Sequence, residues 1–498
     1  MPVLTMAPER ALCWRGRPAT RARLVRSEVV LTPSRPADGV QADEPRGEAD
    51  SATTPPSHLF SRSDAATWRL VWRAALVGLV AGALVALYRM VIRWGLVAAS
   101  HLYDAVREHP VLVVPWLAGA VVAGFVVAEG VRRFPAASGS GIPQVKGIVQ
   151  HGLRVRAAGV LVVRFVGGAL GALAGLSLGR EGPTVQIGAA AAQGVSRVTR
   201  AARADQDHLI GAGAAAGLSA AFNAPLSGMV FALEEVHRTF SARVVLAATT
   251  AALTADVLSS VVFGLQPVLG FGVVPSLPLA QYGWLLLLGP VAGAVGTGMN
   301  GALLGVQTLY RSWLPARWRP VATLVVALPF GLWLPQVLGG GDDLVRRSEA
   351  ATGGLTFFLL LLTAKALLTS TSFGSGFPGG IFMPMLAVGA LTGTTFALAF
   401  RGAGLPSADV AAFAVCAMAG VLAAAVRAPV TSILLVTELS GGVEHTLPVA
   451  ACVLLAMLTA SVLRGEPIYD VLLRRFLANG SGTLEFDDGS ALVARATG

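Results

Sequence analysis

The chain has 498 residues, of which 54% are hydrophobic and only 13% are charged. Soluble domains carry about 25% charged residues, so this composition excludes a water-bathed globular enzyme and points to lipid as the main solvent. The net charge of +10 does not indicate a nucleic-acid partner, because the arginines sit between apolar stretches rather than along one face.

Residues 1–67 are rich in Arg, Pro, Ser, Asp and Glu, with Pro33, Pro36, Pro45, Pro55 and Pro56 among them. The block lacks a buried-face pattern and is predicted to be a disordered cytoplasmic tail. It also lacks the apolar core of a secretory signal. Residues 68–475 are a succession of apolar segments. Residues 70–99 carry only three charges, Arg73, Arg89 and Arg93, and residues 282–306 carry none. Both runs exceed the ~20 residues that cross a ~30 Å hydrocarbon layer. Other segments (160–178, 184–195, 225–233, 384–400 and 429–437) are shorter than a full span and are broken by Gly and Pro. Irregular backbone at membrane depth survives only where it lines a cavity or packs on protein. Residues 476–498 form a short polar C-terminal tail.

Arg132, Arg133, Arg154, Arg156, Arg197, Arg200, Arg203, Arg464, Arg474 and Arg475 lie between the apolar segments. They read as interfacial anchors that place both termini in the cytoplasm. Cys13, Cys416 and Cys452 are odd in number and widely spaced, so no disulfide framework or metal site is indicated, and the seven histidines show no ligand spacing. No cofactor is expected.

The two halves of the chain echo each other. Gly182-Pro183-Thr184-Val185-Gln186-Ile187-Gly188 matches Met383-Pro384-Met385-Leu386-Ala387-Val388-Gly389, with Gly five residues after Pro in both. Ala220-Ala221-Phe222-Asn223-Ala224-Pro225 matches Ala424-Ala425-Val426-Arg427-Ala428-Pro429, and nine residues beyond each proline stands an acid, Glu234 or Glu438. Gly/Pro-broken segments at corresponding positions of two halves point to a transporter with its site at the repeat interface.

Three motifs carry the chemistry: Gly139-Ser140-Gly141-Ile142-Pro143, Gly179-Arg180-Glu181-Gly182-Pro183 and Gly380-Ile381-Phe382-Met383-Pro384. Glycine lets backbone amides approach a ligand, and proline is tolerated in a helix's first turn. Each motif therefore predicts an unwound stretch feeding a helix N-terminus, with unpaired N–H donors and the positive end of the dipole. Several such ends aimed at one place make an anion site without a full positive charge. Transport needs that restraint, since an ion bound too tightly cannot leave.

These motifs, in this order, resemble the signatures of the CLC family of chloride channels and chloride/proton antiporters, of the bacterial type without C-terminal regulatory domains. The likeness continues through Ala221-Phe222-Asn223-Ala224-Pro225 and Glu234-Glu235 to Gly465-Glu466-Pro467-Ile468-Tyr469, covering nearly all of residues 68–475. It implies an all-α polytopic membrane protein, an inverted repeat of tilted and broken helices, working as a homodimer with one pathway per subunit in the inner membrane. Its expected partners are chloride, similar anions such as bromide, protons and the lipid bilayer.

Carried over by motif, the resemblance implies that the hydroxyls of Ser140 and Tyr469 bind a central anion with the amides of Ile381 and Phe382, Gly139 and Gly141 flanking the serine. The amides of Arg180, Glu181 and Gly182, with those of Phe382 and Met383, form an external site. Glu181 is the gate, its carboxylate occupying an anion site and leaving on protonation. Glu235 is the internal proton-transfer acid. An acid within the membrane is costly and functional by default.

Three positions depart from the family's usual pattern: Gln144 and Lys146 stand where acids are common, and Arg164 where lysine is. All three are expected near the inner proton path, and because Gln144 and Lys146 replace acids there, proton coupling is expected to be weaker or slower. Channels of the family tend to lack an acid at the position of Glu235, so exchange is favoured over a passive anion channel. Ser140 favours chloride over fluoride, and over the nitrate preference that accompanies proline there. Gly175-Leu176-Ser177-Leu178-Gly179 also fits the pattern of a serine hydrolase elbow. That pattern is cheap in a chain with 58 glycines, and small residues here serve close helix packing.

Overall fold

The computed structural model describes residues 65–265, 268–269, 276–406 and 409–478. The expectations for residues 1–64 and 479–498, and for Cys13, lie outside the described residues. Among the described residues the regular structure is helical and the one β feature is an isolated bridge.

The first half contains α1 (Ala65–Glu108), α2 (Val113–Arg133), α3 (Ile142–His151), α4 (Ala157–Leu173), α5 (Glu181–Val198), α6 (Arg203–Phe222), α7 (Pro225–Phe231) and α8 (Ala242–Phe263). The second contains α9 (Leu285–Trp313), α10 (Arg319–Trp333), α11 (Asp342–Ala350), α12 (Leu355–Gly374), α13 (Phe382–Ala399), α14 (Val410–Val426), α15 (Pro429–Ser440) and α16 (Thr446–Val462). A final helix, α17 (Ile468–Ala478), closes the described chain. The predicted repeat is thus realised element for element, as an inverted repeat of long and broken helices.

Composition decides which helices face lipid. Among the described residues, seven helical segments are long and apolar enough to cross a membrane. α1, α2, α9 and α16 leave Leu79, Leu87, Val122, Leu286, Leu454 and Leu458 exposed, apolar faces suited to lipid or to another subunit. α14 is apolar on every side and every one of its residues is buried, the mark of a helix enclosed by others. The 44 residues of α1 reach about 66 Å at 1.5 Å per residue, so it crosses obliquely or projects beyond the hydrocarbon.

Small residues let the inner helices touch backbone to backbone. A Cβ on Gly188 of α5 would strike the carbonyl of Gly213 of α6, and one on Gly217 would strike the carbonyl of Thr184. In the second half, Gly393 of α13 meets the carbonyl of Phe413 just as closely, and Gly389 lies against Met418.

Both halves break at the same places. α6 ends at Asn223 (φ 53°) and α14 at Arg427 (φ 68°), each left-handed, and in both the residue before proline lies outside the helical region (ψ 76° at Ala224, 79° at Ala428), which stops the helix. The acids nine residues beyond the prolines then exchange places. Glu234 accepts from the amides of Val430 (3.2 Å) and Thr431 (2.8 Å) at the start of α15. Glu438 accepts from the amides of Leu226 (3.1 Å) and Ser227 (2.8 Å) at the start of α7. Each half caps the other's helix, satisfying donors that a helix start leaves unpaired.

Candidate functional site

The site lies where the halves cross. The amide of Gly179 donates to the carbonyl of Gly380 (2.7 Å), and that of Gly380 to the carbonyl of Gly179 (2.8 Å), an antiparallel bridge directly before two helix starts. α5 then begins at Glu181 and α13 at Phe382, with Arg180 and Ile381 at the N-cap positions. Pro183 and Pro384 both stand in the first turn, where proline costs no hydrogen bond. The free amides of both helices therefore converge from opposite halves.

Glu181 is fully buried at this crossing. Its Oε2 accepts from the amide of Met383 (3.3 Å), across the repeat, while its Oε1 lies 3.9 Å from Arg180 Nε and has no hydrogen-bond partner among the described residues. Arg180 reaches instead toward Asp342 (3.4 Å). The Glu181 carboxylate thus rests on the N-terminal amides of α13, donors of the kind that also hold anions.

Ser140 approaches from the loop before α3. Gly139 (φ 64°) and Gly141 (φ 97°) are both left-handed, and a Cβ on Gly141 would meet Arg164 Nη2 at 2.8 Å, so neither position accepts a larger residue readily. Gly182 backs onto the serine: a Cβ there would come within 2.5 Å of Ser140 Oγ. Tyr469, the second residue of α17, is fully buried. The hydroxyls of Ser140 and Tyr469 are both buried and close enough to interact with each other, and neither makes a hydrogen bond of ordinary geometry among the described residues. Buried hydroxyls are rarely left so, and a bound anion would satisfy both. Phe382 closes the same region, its ring 6.1 Å from Phe222 and 6.2 Å from Phe231.

The three unusual residues do two different things. Arg164 is fully buried and braces the serine loop, donating to the carbonyl of Gly139 and to Gln186 Oε1 (2.5 Å). Gln144 donates to the carbonyl of Ser138 (3.1 Å) in the same loop. Lys146 alone reaches Glu235: its Nζ lies 2.6 Å from Glu235 Oε1 and also contacts Asp470. Sequence grouped the three together; the structure separates loop supports from an ion cluster. Glu235 is buried rather than solvated, in a single π-helical turn, Ala232–His237. Such turns are frequent at functional sites. Asp470 was missed by sequence reasoning, although it directly follows Tyr469.

On the serine side a vestibule of about 1630 Å3 opens, lined by Ser138, Gly139, Ser140 and Gln144 together with nine arginines and one carboxylate, Glu129. Arg132, Arg133, Arg154, Arg156, Arg197 and Arg475, read from sequence as interfacial anchors, all line it. A cleft lined by one sign of charge focuses the field and concentrates anions. The alternative nucleophile, Ser177, is buried with its hydroxyl 2.7 Å from Thr369 and its amide on Ser372, a packing role.

Comparison with known proteins agrees with this geometry. The sequence profile of the family described as "Voltage gated chloride channel" matches residues 119–461. The H(+)/Cl(-) exchange transporter ClcA of Citrobacter koseri is 36% identical over 422 residues, covering 81% of this chain and 88% of that protein. The transporter of the same name from Salmonella agona is 36% identical over 426 residues, covering 82% and 89%. Among solved structures, a slow cyanobacterial Cl-/H+ antiporter superposes with a TM-score of 0.77 at 31% identity, covering 83% of this chain and 99% of that one. A CLC-type fluoride/proton antiporter, at 23% identity and a TM-score of 0.63, shares the fold, covering 81% and 97%.

Proposed function

From the premise that this chain belongs to the voltage-gated chloride channel (CLC) family, we propose that it exchanges chloride for protons across the bacterial inner membrane. Chloride enters by the arginine-lined vestibule, which we assign to the cytoplasm with both termini, and is held by Ser140, Tyr469 and the amides of Ile381 and Phe382. It then passes to the amides of Arg180, Glu181, Gly182, Phe382 and Met383. Glu181 competes for these donors while charged and releases them when protonated. That competition links a proton to an anion, because a group that binds in one protonation state only couples the two equilibria. Glu235 hands protons between Glu181 and the inner side. Bromide follows the chloride path, and two subunits pair with one path each.

One observation carries the reading: the Glu181 carboxylate accepts from the Met383 amide at the helix start of the opposite half. The ClcA relatives, named as exchangers, support it further. The test is flux from proteoliposomes, with chloride and pH recorded together under an imposed chloride gradient. Chloride efflux should drive proton movement in the opposite direction. Robust chloride flux without any pH change would make the protein a passive anion channel.

A further inference from the structure

Lys146 is completely buried on α3, which begins just beyond Ser140. Its ammonium has two carboxylate partners on two other elements: Glu235 Oε1 at 2.6 Å in the π turn, and Asp470 Oδ1 on α17. Asp470 Oδ2 in turn takes Arg238 at 2.6 Å. Two cations and two anions give a formal sum of zero. Gln150, one turn further along α3, donates to the carbonyl of Val236 (2.7 Å), fastening the same helix to the same turn.

Two of these elements carry the inner hydroxyls. Ser140 stands immediately ahead of α3, and Tyr469 is the residue before Asp470 on α17. The pair Lys146–Asp470 therefore ties the helix behind one hydroxyl directly to the helix behind the other. Residues so joined are 324 apart in sequence. When Glu235 takes a proton, the ammonium keeps Asp470, so no buried charge is left without a partner, which would be strongly destabilising.

We propose that Lys146 and Asp470 are positioning residues of the inner gate: their ion pair is a strut that holds Ser140 and Tyr469 across the inner end of the anion path while Glu235 gains and loses its proton. The proposal rests on the exchange reading above. It reverses the expectation that a lysine at position 146 weakens coupling, since here the lysine is what keeps the inner gate from leaking chloride.

The test compares wild type, Asp470→Asn, Asp470→Glu and Arg238→Gln in proteoliposomes, with chloride and proton fluxes read in the same vesicles. Asp470→Asn removes the strut and leaves Glu235–Lys146 in place. Chloride flux should rise, and chloride moved per proton should rise about fivefold or more, the lower end of coupling between linked sites. Asp470→Glu should return the ratio toward wild type. Arg238→Gln removes only the outward, half-exposed partner of Asp470, and should hold the ratio within about twofold, as for an exposed pair. If Asp470→Asn does not reconstitute, Lys146→Gln, which keeps hydrogen bonding but no charge, must raise chloride flux as well as the ratio, because Lys146 also pairs with Glu235. An unchanged ratio overturns the strut. So does unchanged chloride flux with lost proton flux, which would make Asp470 a proton carrier. Wild-type vesicles that move no protons would instead overturn the exchange reading, and the strut would still be judged by whether Asp470→Asn speeds chloride.

Discussion

The loop Gly139–Gly141 and its counterpart Gly339–Gly341 are built alike and used differently. Each follows a short 3-10 turn begun by proline, Pro135 or Pro335. Each has left-handed glycines at its first and third positions. Each is braced by a fully buried cation on its carbonyls: Arg164 holds Gly139, while Lys365 donates to Val337 (3.0 Å) and Gly339 (2.7 Å). Yet the first loop presents the hydroxyl of Ser140 and the second only Gly340, and α5 begins with Glu181 where α13 begins with Phe382. The frame repeats because a broken helix within a membrane must satisfy its backbone in either half. The chemistry lies where the copies differ.

The largest test of that contrast is to erase the difference at the helix starts. Glu181→Gln keeps the side chain's size but removes the titratable group. Proton flux should fall to background while chloride still passes, and the pH dependence of chloride flux should vanish with it. Proton flux persisting in this variant would mean that the asymmetry at α5 is not the gate. A smaller effect is expected where the halves are most alike. Glu234→Gln and Glu438→Gln each weaken one of two equivalent caps, and each should cost about 1–3 kcal/mol of stability. Thermal unfolding in detergent should show similar losses for both. A large difference between them would show that the caps are symmetric in geometry alone. The smallest effect is expected from Gly340→Ser. Gly340 is buried, and a Cβ there meets Met383 Cγ at 3.3 Å and Asp342 Oδ2 at 3.4 Å, tight but against side chains rather than backbone, so stability should fall by about 1 kcal/mol, the low end for added volume in a packed region. Anion ranking by competition flux should not move. A shift would make the second loop a site as well.

Much of this architecture was legible because its signals are local. Gly-x-Gly before Ile142-Pro143, and Pro183 and Pro384 in first turns, mark helix starts by backbone chemistry alone. The echo of Glu234 and Glu438 was also visible, but not its use: each acid caps a helix about two hundred residues away, and no spacing rule reaches that far. Lys146 was read only as the loss of an acid. Its partners come from a π turn and from α17, and a single π turn rotates Glu235 relative to ordinary helical spacing. Arg164 was assigned to the proton path from its family position alone. Its work in holding a carbonyl depends on a loop whose glycines fold back toward α4, which only coordinates reveal.

The contacts of Gly188 with Gly213, and of Gly217 with Thr184, have an evolutionary consequence. Where a carbonyl stands in the place of a would-be methyl group, the scaffold has no neutral neighbour in sequence space: even alanine demands that two helices part. Descent with modification is thereby steered away from the helix–helix seams and onto the few side chains that we propose serve the ion. One carboxylate, two hydroxyls and a buried ion cluster become the adjustable parts. On this scaffold, selectivity and coupling can diversify by single substitutions at those parts while the framework that presents them stays fixed.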